Sequence, residues 1–143
     1  MRVPSCLVAL LLISPAVHAE TWFVLDTPGG PGDLGIEADM DSLRQAGGRR
    51  EVRVRVSYAQ TRQYRSGEPF RSVVTRVEFE CEGQLAGYRD ATFYSETGGG
   101  GMVTAREEGR LAAAAEGTRD LLPPRSVEVL IRAACSRPTP AVP

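Results

Sequence analysis

Neither lysine nor asparagine occurs anywhere in this chain of 143 residues, and its single histidine, His18, lies in the first nineteen residues with one of only three cysteines, Cys6. From residue 20 onward there is no imidazole for general-base work, no amine for Schiff-base chemistry, and only Cys81 and Cys135 as thiols. No Ser–His or Ser–Lys nucleophile can be assembled from that set. Haem through histidine is excluded too, although a tyrosine ligand stays open. Long apolar runs are equally scarce: residues 6–13 fall far short of the roughly 20 needed to span a bilayer, and no later stretch is apolar enough. No stable membrane anchor is expected. Positive charge is not in excess either, since 17 cationic residues, all arginine, face 18 acids for a net charge of −1. A nucleic-acid binder would show a basic surplus, so no nucleic-acid partner is expected. Arginine as the sole long cation reads as a GC-rich coding bias rather than an arginine-specific function.

What is present begins with an export signal. Arg2 supplies a positive start, residues 6–13 an apolar core, Ser14 and Pro15 a break, and Val17-His18-Ala19 small residues at the minus-three and minus-one positions. That layout predicts a secretory signal peptide over residues 1–19, cleaved after Ala19. Cys6 lies at the start of the apolar run and cannot be a lipoprotein acceptor at the cleavage site. The remainder is long enough for one domain with one core, residues 20–135, followed by a proline-rich tail over 136–143 expected to be disordered. Cys81 and Cys135 form an even pair in an exported chain, which predicts a disulfide. Two free thiols or half of a metal site are the rival readings, and zinc there would need two carboxylate ligands.

Strand signals dominate. Residues 21–25 form a short aromatic and β-branched run ended by the Pro/Gly loop 28–32, and residues 36–43 suggest a second strand stopped at Gly47-Gly48. Val52, Val54, Val56 and Tyr58 alternate with Arg53, Arg55 and Ser57, the period of a strand with one wet face. Residues 71–82 repeat it: Val73, Thr75, Val77, Phe79 and Cys81 share one face, with Val74 an exception on the other. Pairing these two strands would set Arg53 and Arg55 against Glu78 and Glu80, with 62–69 as the hairpin loop. Residues 88–96 predict a further strand. The alanine-rich 107–115 predicts a short helix ended at Gly117. Val127, Leu130, Ile131 and Ala134 recur at helical spacing after Pro124, so a last helix should carry Cys135 onto the sheet. The fold class is α+β: one antiparallel sheet of about five or six strands with a C-terminal helix tethered to it.

Groups that could carry chemistry have plainer readings. Glu78, Glu80 and Glu82 would lie on one strand face, but acid–base work needs one carboxyl in a desolvating pocket, and alternation with Val77 and Phe79 describes a solvated face. Asp39, Asp41 and Ser42 could offer oxygens to calcium, which needs six to eight ligands; a turn or cap role fits better. Gly98 to Gly101 lacks the Lys-Ser/Thr of a phosphate cradle and reads as a mobile hairpin turn. Trp22, Phe23, Tyr58, Tyr64, Phe70, Phe79, Tyr88, Phe93 and Tyr94 fall mostly at core-facing positions rather than on a base-stacking platform. No catalytic residue, cofactor or metal site is assigned.

Taken in order, Trp22, the stretch 39–43, the valine–arginine strand, Phe70-Arg71-Ser72, residues 77–81, Tyr94, Pro124-Arg125-Ser126 and Ala134-Cys135 resemble the surface-adhesin protein E family of small exported proteins of Gram-negative bacteria. The resemblance spans about residues 21–135. It implies an antiparallel sheet with a disulfide-tethered C-terminal helix, and adhesion to host surface or matrix proteins. The stretch 110–117 departs from the pattern, where a tryptophan-containing loop is expected, so only the cysteines and the fold carry over. The expected function is an adhesin-like envelope protein of the periplasm or cell surface, acting through an unknown protein partner, with a homodimer left open. The alternative is a periplasmic small-ligand carrier or accessory subunit with a pocket between helix and sheet. A filled helix–sheet seam favours the binder, an apolar cavity of several hundred Å³ the carrier.

Overall fold

Side-chain alternation along residues 52–57 decides where the core lies: Val52, Val54 and Val56 are at most 2% exposed, while Arg53 and Arg55 on the other face remain half-buried. The structure, a computed structural model, describes residues 20–26, 33–46, 48–82, 85–109, 111–113, 121–122 and 124–138. The expected signal peptide lies outside these residues, as do 139–143 of the expected tail and 114–117 of the expected alanine-rich helix.

Among the described residues seven strands form one antiparallel sheet in chain order: β1 (Trp22–Asp26), β2 (Asp33–Ala46), β3 (Arg49–Gln63), β4 (Pro69–Phe79), β5 (Leu85–Tyr94), and β6 (Val103–Glu108) with β7 (Leu111–Ala113). Both β6 and β7 pair with β5, at residues 90–94 and 85–87 respectively, so together they fill a sixth strand position. Residues 107, 108 and 111–113 are thus strand, not the alanine-rich helix the composition suggested. Helix propensity is a weak preference, and here it yields to the backbone groups of β5 that need partners. Gly109 lets the edge pass close to β5, donating its N–H to the Arg89 carbonyl at 2.9 Å, where any Cβ would collide with the Tyr88 carbonyl.

Register across β3 and β4 places Val52 against Val77, Val54 against Thr75 and Val56 against Val73 on the core face. The opposite face departs from expectation: Arg53 faces Arg76 and Arg55 faces Val74, so neither meets Glu78 or Glu80 across the ladder. Burial of the valines forbids a slip of one residue, which would turn them all to solvent, but not a slip of two. Val74, the exception to the alternation, is where the glycine run lands. Thr97–Gly99 forms a 3-10 turn that folds back onto the sheet. Gly98 N–H donates to Ser57 Oγ at 3.0 Å and Gly99 N–H to Ser72 Oγ at 2.9 Å. The run is the β5–β6 hairpin connection, as read, but it is pinned rather than free. Gly99 has φ +75°, and a Cβ there would stand 3.0 Å from Val74 Cγ2. Gly99→Ala should lower stability by about 1–2 kcal/mol, from the left-handed backbone alone, read as a shift in urea midpoint at constant slope.

The single described α-helix, α1 (Pro124–Cys135), covers the core face beside β1 and β2. Val127, Leu130 and Ala134 are at most 3% exposed, with Ile131 partly buried beside them, so among the described residues the seam is filled. Two devices hold its C-terminal end. The Cys81–Cys135 disulfide has a Cα–Cα separation of 5.6 Å. Cys81 does not point into the core from β4 as expected; it lies in the exposed turn after Phe79, because the last helical residue reaches the sheet at its rim. Arg50 then donates to the carbonyls of Ala134 (2.6 Å) and Arg137 (2.8 Å), a cation at the negative end of the helix. Ser136 and Arg137 continue the helix by backbone bonds to Arg132 and Ala134.

Candidate functional site: the arginine–carboxylate face

The sheet face opposite α1 carries a lattice of opposite charges. Its centre is Glu51, which the strand alternation places on this face and which is nonetheless 2% exposed. Three arginines converge on it from three strands. Arg44 of β2 reaches Oε1 through Nε at 3.1 Å, Arg89 of β5 reaches Oε2 at 3.0 Å, and Arg76 of β4 lies 3.8 Å from Oε1. Arg89 also stands 3.6 Å from Glu78, the register partner of Glu51, so one guanidinium bridges two carboxylates that would otherwise repel. Arg76 donates to Asp90 as well. That hydrogen bond pushes the Arg76 guanidinium above its already high ordinary range, against a lowering by burial and with the charges of Asp90, Glu51 and Glu78 adding.

Arg44 reaches Glu51 because β2 is interrupted. Between Asp39 and Arg44 four residues of β2 stand against Val52 alone on β3, a large bulge. Asp39 Oδ1 accepts the Asp41 N–H at 3.2 Å, Ser42 Oγ donates to the Asp39 carbonyl at 2.6 Å, and Arg53 N–H donates back to Ser42 Oγ at 2.8 Å. Asp39, Asp41 and Ser42 are therefore the internal bonding of a bulge, the turn role rather than the calcium role. The bulge opens a depression of about 390 Å³ lined by Asp41, Ser42, Arg44, Glu51, Arg53 and Arg76, among others.

Toward the β1 edge the lattice ends on an aromatic. Trp22 pairs with Asp39 and shares this face, not the core. The guanidinium of Arg55 stands 4.3 Å from its ring centroid and that of Arg53 5.4 Å. Arg55 is held by Glu37 at 2.8 Å and by the Gly98 carbonyl at 3.0 Å, and Arg53 by Glu20. Tryptophan face, two guanidinium planes and their carboxylates form a preorganised amphipathic platform of the composition enriched at protein contacts. Arg53, at 38% side-chain exposure, opens the platform to solvent.

The expected acidic trio does not assemble into one site. Glu78 is on this face beside Arg89, Glu80 lies past the end of β4 at 3.6 Å from Arg49, and Glu82 is in the following exposed turn. Nothing in the sequence marks Glu51, because alternation describes a face, not its burial. The bulge that brings Arg44 over it carries no periodic signal. Glu51→Gln keeps the shape but removes the charge that three arginines share, and should lower stability by about 1–3 kcal/mol, measured by urea unfolding.

Among the described residues no helix is long and apolar enough to cross a membrane. The profile of the surface-adhesin protein E family matches residues 22–136. Solved structures of Haemophilus influenzae protein E share the fold: one is 15% identical with a TM-score of 0.52, over 80% of this chain and 92% of that one. A second crystal form gives 15% identity and a TM-score of 0.53 over 81% and 96%. No curated protein matches the sequence. With its single antiparallel sheet, tethered C-terminal helix and matching profile over most of its length, the chain belongs to the surface-adhesin protein E family.

Proposed function

We propose that the chain is an exported cell-envelope protein that acts by contact with a protein partner and without catalysis, adhesin-like as its family name indicates. The observation that carries this reading is the Trp22–Arg53–Arg55 platform on a sheet face braced from behind by a disulfide-tethered helix. A binder needs a rigid surface with few side chains left to order, and guanidinium groups already fixed by carboxylates supply one. Each of Glu20, Glu37, Glu51, Glu78 and Asp90 is held by an arginine, an arrangement for structure and steering rather than for proton transfer. The filled seam under α1 argues against the carrier alternative. In this reading residues 1–19 are removed after Ala19, residues 20–135 are the working domain in the periplasm or on the cell surface, and a homodimer remains an available assembly.

Surface plasmon resonance of the secreted protein over immobilised basement-membrane matrix, and over the envelope fraction of its own cells, tests the reading. Saturable binding that weakens as salt is raised from 50 to 500 mM is expected, because charged contacts are screened. Intact mass should lack residues 1–19. A secreted form retaining Met1 would contradict export, and a hydrolytic activity abolished by changing Glu78, Glu80 and Glu82 to Gln would contradict contact alone.

A further inference from the structure

The core face also holds a carboxylate, at the end of the sheet away from α1. Glu107 on β6 is paired with Ala91, which is 1% exposed, so it points to the same side as the apolar core. Two phenols grip it: Tyr88 donates to Oε1 at 2.8 Å and Tyr64 to Oε2. Aromatic rings continue outward from there. Tyr64 lies 4.4 Å from Phe93 by ring centroids, Phe93 5.0 Å from Phe70 at 76°, and Phe70 5.8 Å from Tyr58 at 82°. These rings and Glu107 line a pocket of about 190 Å³, with exposed Arg65 also on its wall.

Every carboxylate of the arginine lattice has a guanidinium; among the described residues Glu107 has none within ion-pair distance, and two hydroxyls hold it. Phenol donors orient a carboxylate without pairing it as a bound guanidinium would. Aromatic rings line the same pocket, and the face of such a ring is the negative part of its quadrupole. A carboxylate in a pocket lined by aromatic rings, partly shielded from water, favours one chemical class of guest: a weakly hydrated organic cation. The chain already uses this attraction on the outer side of the same cluster, where the Arg62 guanidinium sits 4.9 Å from the Tyr58 ring centroid. The volume is below the roughly 300–1,000 Å³ of sites for drug-sized molecules, which suits a head group.

We propose that this pocket binds an alkylammonium group, quaternary in preference to primary, with Tyr58, Tyr64, Phe70 and Phe93 as its walls and Glu107 as its counter-charge. Methyl groups around a quaternary nitrogen pack on the rings, and the diffuse charge loses little hydration on entry. The site stands apart from the contact face and does not depend on it. A free quaternary amine and a phosphocholine head group present the same cation, and the two are separated by experiment.

Calorimetric titration of the full oxidised protein with choline, phosphocholine and 3,3-dimethylbutanol, the uncharged isostere of choline, tests the proposal. Saturable choline or phosphocholine binding is expected, with the isostere weaker by about tenfold or more. Tighter phosphocholine identifies a phosphorylated head group as the source; choline alone identifies a free amine. Glu107→Gln and Tyr64→Leu, each checked for a cooperative thermal transition, should weaken binding by about tenfold. Equal affinity for choline and its isostere overturns the proposal, as does absence of saturation by either cation below about 10 mM. The comparison among ligands uses the unaltered protein, so it stands even if a variant fails to fold.

Discussion

Cys135→Ala should lower unfolding free energy by roughly 4 kcal/mol, the chain-entropy value for a bridge of this span. The two cysteines are 54 residues apart, so the bridge restrains β5, β6, β7 and most of α1 in the unfolded chain. Arg50 still grips the helix end in the variant, and the protein should remain folded in the absence of denaturant. Two readouts separate this from a packing defect. The urea slope should rise, because an unlinked unfolded chain exposes more surface, and reduction of the natural protein should reproduce the loss. A variant as stable as the oxidised protein would show that the bridge contributes nothing.

Leu130→Asp should be at least as damaging, more than about 4 kcal/mol, because it buries an unpaired charge and opens the centre of the helix–sheet seam at once. Leu130 is 1% exposed, between Val127 at 3% and Ala134 at 0%. A helix of 12 residues is marginal alone in water, so α1 persists by this burial and by its two tethers. Glu128→Gln, on the exposed side of the same helix, should change stability by less than about 0.5 kcal/mol. If the two substitutions proved equally mild in thermal denaturation, α1 would not be docked as described.

What the sequence made legible is what periodicity encodes. Val52 to Val56, Val73 to Phe79 and Val127 to Ala134 each declare a face, and one face buried against another leaves little freedom in the architecture. The cysteines were readable for a different reason, since two thiols behind an expected export signal have few other fates. Residues 107–113 misled because alanine favours a helix by tenths of a kcal/mol, while unpaired backbone at the β5 edge is worth more. Arg53 and Arg55 misled because cross-strand partners depend on register, and a shift of two residues leaves every face unchanged. Their true partners, Glu20 and Glu37, lie on and beside other strands.

The charged face was legible as wet and not as organised. Alternation placed Glu51, Arg53 and Arg55 together, yet the three-arginine grip on Glu51 needs the β2 bulge and the β5 irregularity near Arg89, neither of which repeats along the chain. Trp22 reads as a core residue because tryptophan usually is; its pairing with Asp39 at the sheet edge turns it toward the arginines instead. Glu107 could have been suspected from its place two residues after Ala105 on the β6 core face, but its tyrosines come from the β3–β4 loop and from β5.

The contact reading rests on the Trp22–Arg53–Arg55 platform, and the direct measurement is binding by a Trp22→Ala, Arg55→Gln double variant to the same immobilised matrix and envelope surfaces as the natural protein. Arg55 also bonds Glu37 and the Gly98 carbonyl, so the thermal midpoint should fall while the transition stays cooperative. The expected result is a loss of affinity of about tenfold or more with a shallower salt dependence, as for removal of a central aromatic–guanidinium contact. Undiminished affinity in a folded double variant would contradict the account.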